Sequence, residues 1–164
     1  MMVPPELRWG ATTAGLVTVG YLAAARNGLP LPGDLLGHVL GIAGFLLMAF
    51  AMVGYTWRKQ PHRSGPGPMV RWLQLHAYAG LVGPYLLLLH SAFRFRGLAA
   101  VLSLLVLVVM LSGIAGKYGP PSATAAPPTR GALWYILHVP VSGAIAALAV
   151  FHVLGVLYYH TGGQ

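Results

Sequence analysis

Long apolar runs broken by short stretches rich in proline and glycine dominate this chain. Five runs approach or exceed the roughly 20 apolar residues that a membrane-crossing helix needs. They cover about 9–25, 35–57, 69–95, 97–117 and 131–159. The first, WGATTAGLVTVGYLAAA, is the shortest and is followed by Arg26. Its Ala23, Ala24 and Ala25 also fit a signal-peptidase site, but the run is read here as a span. The separators NGLPLPGD, RKQPHRSGPGP and GPPSATAAPPTR are dense in residues that stop helices. None of them holds a soluble domain, and no long repeat is present. The expected fold is all-α: an integral membrane bundle of about five transmembrane helices, forming one membrane domain over residues 1–164.

Composition supports the same solvent. Of the 164 residues, 57% are hydrophobic and 7% charged, against about 25% charged in a soluble domain. Mean hydropathy is +0.71. Glu6 and Asp34 are the only acids, facing ten Lys and Arg, for a net charge of +8. The basic residues sit at the ends of apolar runs and form no stripe, which argues against nucleic acid. They imply membrane orientation and partners that bring negative charge. Cysteine is absent, which excludes disulfides, thiolate metal sites, iron-sulfur ligation and covalent c-type haem. Two carboxylates cannot cage a hard cation. Seven histidines remain as the plentiful ligand type.

Cytoplasmic loops hold the excess of Lys and Arg. With five spans, one side carries Arg8, Arg58, Lys59, Arg63, Arg71, Lys117 and Arg130, and the other Arg26, Arg94 and Arg96. This orientation places the N-terminus in the cytoplasm and the C-terminus outside the cell membrane. Trp57, Trp72, Trp134, Tyr135, Tyr158 and Tyr159 fall near expected helix ends, as interfacial anchors do.

The third run contains HAYAGLVGPYLLLLH, from His76 to His90, and the fifth HVPVSGAIAALAVFH, from His138 to His152. Fourteen residues bring two side chains onto one helix face, about 21 Å apart along the axis. Random placement of the histidines gives roughly 0.3 such pairs, so two in alternate apolar runs form a pattern. His62 also lies fourteen before His76, but in a proline-rich loop with no helix to carry the phase. The runs are one span apart and hence parallel, which sets His76 level with His138 and His90 level with His152. An intramembrane histidine is a functional candidate, although each could instead bond a neighbouring helix. Zinc needs more ligands than two. Two opposed axial nitrogens suit haem iron. Gly83 lies halfway between His76 and His90, with Gly80 one turn from His76. Glycine there either admits a flat macrocycle or packs a neighbouring helix, and the same choice applies to Gly37 and Gly41.

Paired histidines fourteen apart on two parallel helices flanking a third resemble the dihaem four-helix core of membrane b-type cytochromes. Both the quinol-oxidising cytochrome b group and the ferric-reductase-like transmembrane domains share that core. The resemblance covers about residues 69–159. It implies two non-covalent, bis-histidine b haems on His76, His90, His138 and His152, passing electrons across the membrane. The chain lacks the Pro-Glu-Trp-Tyr quinol motif and the later helices of cytochrome b, and the flavin and nucleotide domain of ferric reductases.

Haem propionates attract cations. Arg94 follows His90 by one turn and is the first candidate on the outer side, with Arg96 second; either also serves as a headgroup anchor. Arg71, Lys117 and Arg130 are the inner candidates, though Lys117 equally suits a helix C-terminus. Asp34 and His38 either form a proton-accepting pair for quinol or act as a helix cap and a supporting donor. His62 and His160 read as solvated. Pro84 and Pro140 imply kinks.

The expected function is an electron-transfer subunit of a larger redox complex, embedded in membrane lipid. Its partner would be a dehydrogenase, reductase or c-type cytochrome, with quinone as a further partner. No residue is assigned a catalytic role. The alternatives are a ferric-reductase-like component with a separate flavin subunit, or a haem-free protein for metal transport or assembly.

Overall fold

The computed structural model describes residues 3–28, 30–60, 66–118 and 128–161, with side chains at all of these except 27, 128–135, 160 and 161. Among the described residues every regular element is a helix. They are α1, Pro5–Ala24, which closes on a short 3-10 turn, Ala25–Asn27; α2, Leu35–Arg58; α3, Met69–His90; α4, Gly97–Tyr118; and α5, Pro128–Thr161. The chain divides into two compact units, Met1–Phe93 and Arg94–Gln164.

Four helices among the described residues are long and apolar enough to cross a membrane: α2, α3, α4 and the Ile136–Tyr159 part of α5. The first expected span does form a helix, but it stands outside this set. Its sequence carries Glu6, Arg8, Thr12, Thr13 and Thr18, which lower its hydropathy. The third expected span, 69–95, ends early. Ser91 caps α3, and Ala92 and Phe93 then take positive φ values of 48° and 57°. Two such non-glycine residues in succession are costly for L-amino acids and stop the helix. Pro84 and Pro140 lie within continuous helices.

In the first unit α3 packs against both other helices. Thr13 and Tyr78 share a hydroxyl–hydroxyl bond of 3.0 Å. Five residues further along α1, Thr18 donates to the Ala14 carbonyl and so accepts from the Tyr85 hydroxyl. Contacts that advance together on both helices make α1 and α3 parallel. The face of α3 bearing Tyr78 and Tyr85 lies about 180–200° round the helix from the one bearing His76 and Gly83. α2 takes the latter face. A Cβ at Gly44 would lie 3.0 Å from the Gly83 carbonyl oxygen, and one at Gly83 would lie 3.2 Å from the Gly44 carbonyl oxygen. Small residues at this crossing let the two backbones meet. Tyr21, Leu40, Val82, Leu86 and Leu89 form the buried core where the three helices converge.

In the second unit α4 packs on α5. The contact from Ser112, near the end of α4, to His138, early in α5, makes an antiparallel hairpin. Val106, Val109 and Ile145 are its buried side chains. Leu104, Leu111, Val150 and Phe151 are exposed, as lipid-facing residues of a membrane hairpin would be. Trp57, Tyr158 and Tyr159 are exposed near helix ends, where anchors were expected.

The close crossing yields a stability test. Gly44→Ala forces its methyl against Leu87 and the Gly83 backbone and should cost about 1–3 kcal/mol in detergent unfolding. Gly80→Ala, with nothing within 4 Å of its added Cβ, should instead be neutral or stabilising by up to about 1 kcal/mol.

Candidate functional site

The histidines of α3 are seated on α2 by direct hydrogen bonds. Nδ1 of His76 lies 2.7 Å from the Ala51 carbonyl oxygen, and Nδ1 of His90 lies 2.8 Å from the Gly37 carbonyl oxygen. A carbonyl can only accept, so both rings donate from a protonated Nδ1. In the neutral ring that places the lone pair on Nε2, the tautomer of a metal-ligating imidazole whose other nitrogen is held by a carbonyl.

The acceptors are themselves fourteen residues apart. His76 meets Ala51, Gly83 meets Gly44 and His90 meets Gly37, and the paired residue numbers sum to 127 at all three levels. Seven-residue steps on two antiparallel helices keep one seam facing the partner. The two histidines are therefore the outer rungs of a single helix-packing register, with the glycine pair as the middle one.

Each ring also has a shaped bed. A Cβ at Gly41 would lie 2.8 Å from Nδ1 and 3.0 Å from Cε1 of His90, so only glycine admits the imidazole there. Ala51 lies in a π-turn, Phe50–Gly54, a widening often found at functional sites. Tyr55 follows that turn, and its ring centroid sits 4.8 Å from that of His76.

The second unit repeats the device with different parts. Nδ1 of His138 lies 2.9 Å from Ser112 Oγ. That hydroxyl donates its proton to the Val109 carbonyl at 2.8 Å, so His138 must be the donor. A Cβ at Gly113 would lie 3.2 Å from His138 Cε1. His152 is half-buried fourteen residues along the same helix. All four histidines singled out by spacing are thus half-buried on apolar helices.

Other expected site residues fall differently. Gly83 is buried against Gly44, Leu47 and Met48. Arg94 was placed on the His90 face by counting one helical turn, but α3 ends at His90, so that phase does not reach it. Arg94 and Arg96 are exposed between α3 and α4. Asp34 precedes α2 without a side-chain cap. Its carboxylate accepts the Leu31 backbone N–H at 2.7 Å, while His38 Nδ1 donates to the Asp34 backbone carbonyl at 3.0 Å. Lys117 Nζ lies 5.2 Å from the centroid of the Tyr118 ring. His62 and Arg63, and the side chains of Arg130, Trp134, Tyr135 and His160, lie outside the described residues. Among the described residues no three His, Asp or Glu side chains gather as a metal centre.

Ala51, Ser112 and Gly113 were not singled out from sequence. The signal that finds them is register: once the helices are set antiparallel, each lies level with a histidine. Compared with protein families, curated proteins and solved structures, the chain shows no significant match.

The seating of His90 is directly testable. Nitrogen NMR on the full chain should show His76, His90 and His138 with protonated Nδ1. Gly41→Val should disturb the His90 resonance and leave His76 unchanged, since only the former ring lies on Gly41.

Proposed function

We propose that the chain is a membrane-embedded dihaem cytochrome b subunit, carrying electrons between partners in a larger redox complex. One haem would take His76 and His138 as axial ligands and the other His90 and His152. The observation that carries this reading is the matched seating of His76 and His90. Both imidazoles are fixed as Nδ1–H donors, two steps of one register apart. Simple helix packing needs one such bond, whereas two ligands at two depths need this phase at both. His138 adds a third ring in the same tautomer.

The donor set fits the group. Neutral imidazole is the ligand of low-spin haem iron, and the acceptor at Nδ1 raises its basicity. Haem would supply reversible one-electron transfer; the protein holds the ligands, fixes their tautomers and surrounds them with apolar helices. With Glu6 and Asp34 as its only carboxylates, the chain would act as a conduit between partners, and Asp34 with His38 is the proton-accepting pair it would offer a quinol.

In this reading α1 completes a five-span bundle. Its threonines are engaged by α3 tyrosines and by its own carbonyls, which offsets the low hydropathy. The N-terminus is cytoplasmic, by the bias of Lys and Arg. A dehydrogenase, reductase or c-type cytochrome would exchange electrons with it, and quinone is a further partner.

Pyridine haemochrome assay of the purified full chain should give about two non-covalent b haems per polypeptide. His90→Ala and His152→Ala should abolish the same spectral component, and His76→Ala and His138→Ala the other. A haem-free chain that binds transition metal would favour the transport alternative. A copurifying flavoprotein would favour the ferric-reductase-like one. Loss of a common component in the His90 and His138 variants would overturn the ligand pairing.

A further inference from the structure

His76 and His90 rest on backbone carbonyls, which no substitution removes. His138 rests on a side chain. Its Nδ1 lies 2.9 Å from Ser112 Oγ, whose proton goes to Val109 O at 2.8 Å. Val109 is buried, so this short chain of bonds runs inside the helix hairpin. Gly113, next in sequence, leaves room for the ring at a spot where a Cβ would lie 3.2 Å from Cε1. Ser142, one turn beyond His138, donates to the His138 backbone carbonyl at 2.6 Å. Serine thus binds both the ring and the backbone of this residue.

The geometry points to Ser112 as a positioning residue that fixes the tautomer of His138 and sets the electron-donating strength of its Nε2. The inference rests on the dihaem reading for its redox part, and on the hydrogen bonds alone for its tautomer part. An acceptor at Nδ1 gives the imidazole partial anionic character, which favours the oxidised metal. A hydroxyl whose own proton is engaged by a carbonyl is a stronger acceptor than a lone one, because the two bonds polarise each other. Removing the hydroxyl leaves Nδ1–H without this acceptor beside an apolar neighbour. The bond that selects the Nδ1–H tautomer is then lost, and Nε2 becomes the weaker donor.

The test compares Ser112→Ala with Ser112→Thr in the full chain. Thr keeps the hydroxyl and serves as the rescue variant; circular dichroism establishes that both remain helical. In Ser112→Ala, the midpoint potential of the haem lost in His138→Ala should rise, and the affinity of that site should fall about 10- to 100-fold. The other haem should be unchanged, and Ser112→Thr should restore the wild-type values. Unchanged potential and affinity in Ser112→Ala, or an equal shift at both haems, would overturn the redox role. Nitrogen NMR of the haem-free chain reads the tautomer part separately. Wild type should show His138 protonated at Nδ1, and Ser112→Ala should show a mixture of tautomers. A wild-type chain that takes up no haem overturns the dihaem reading, and the NMR comparison then decides the positioning role by itself. The same single tautomer in wild type and Ser112→Ala would overturn that role.

Discussion

The backbone approach of α2 and α3 at Gly44 and Gly83 governs the first unit. A methyl group on either glycine would press on the opposite carbonyl, at 3.0 Å or 3.2 Å. Between helices in lipid, burial of apolar surface supplies little attraction, so close packing and hydrogen bonds must hold them together. The glycine pair allows the approach, and the approach brings the carbonyls of Gly37 and Ala51 within reach of two histidine rings. Separating the helices by the width of one side chain would strand both Nδ1–H groups. The histidine bonds and the glycine contact therefore stand or fall together, and a helix crossing becomes a device for aiming two imidazoles.

Polar groups elsewhere in the apolar helices follow the same economy. Thr18 donates a hydrogen bond to the Ala14 carbonyl and accepts one from Tyr85, while Ser112 donates one to the Val109 carbonyl and accepts one from His138. In both cases a small hydroxyl returns its proton to its own helix and presents an oxygen to the neighbour. The hydroxyl then acts as an adaptor between a helix carbonyl that already has a backbone donor and a ring on another helix. This explains how α1, the least apolar of the five long helices, engages α3 through Thr13 and Thr18, while the buried Tyr21 hydroxyl at the same contact has no hydrogen-bond partner among the described residues.

The helices were legible in sequence because length and apolarity decide them: the four longest runs became helices, three of them at nearly the expected bounds. The exception shows where that logic ends. Residues 91–95 look as helical as their neighbours, yet Ala92 and Phe93 turn left-handed with no glycine at either position. Those two residues end α3 at His90, and with the break the helical phase relating Arg94 to His90 is lost. Gly83 shows a second limit. Its place halfway between two histidines is visible in sequence, but whether a helix or a cofactor fills the gap depends on Gly44, which belongs to another run. The phase of His76 and His90 could be read from one helix alone. Their acceptors could not, because a backbone carbonyl has no signature until the register between helices is known.

The kinds of acceptor divide the histidines in a way that bears on how such a site can be tuned. A main-chain carbonyl cannot be removed by substitution, so the seats of His76 and His90 are altered through what touches their rings, Tyr55 for the first and Gly41 for the second. A hydroxyl acceptor can be lengthened, removed or repolarised by one substitution, as at Ser112. His76 and His90 both donate to main-chain carbonyls, Ala51 in the π-turn and Gly37 in the regular helix, so their Nδ1 bonds are alike in kind. Of the three seated rings, His76, His90 and His138, only the last donates to a side chain, the Ser112 hydroxyl, and in the dihaem proposal that is where one substitution would set the two centres apart.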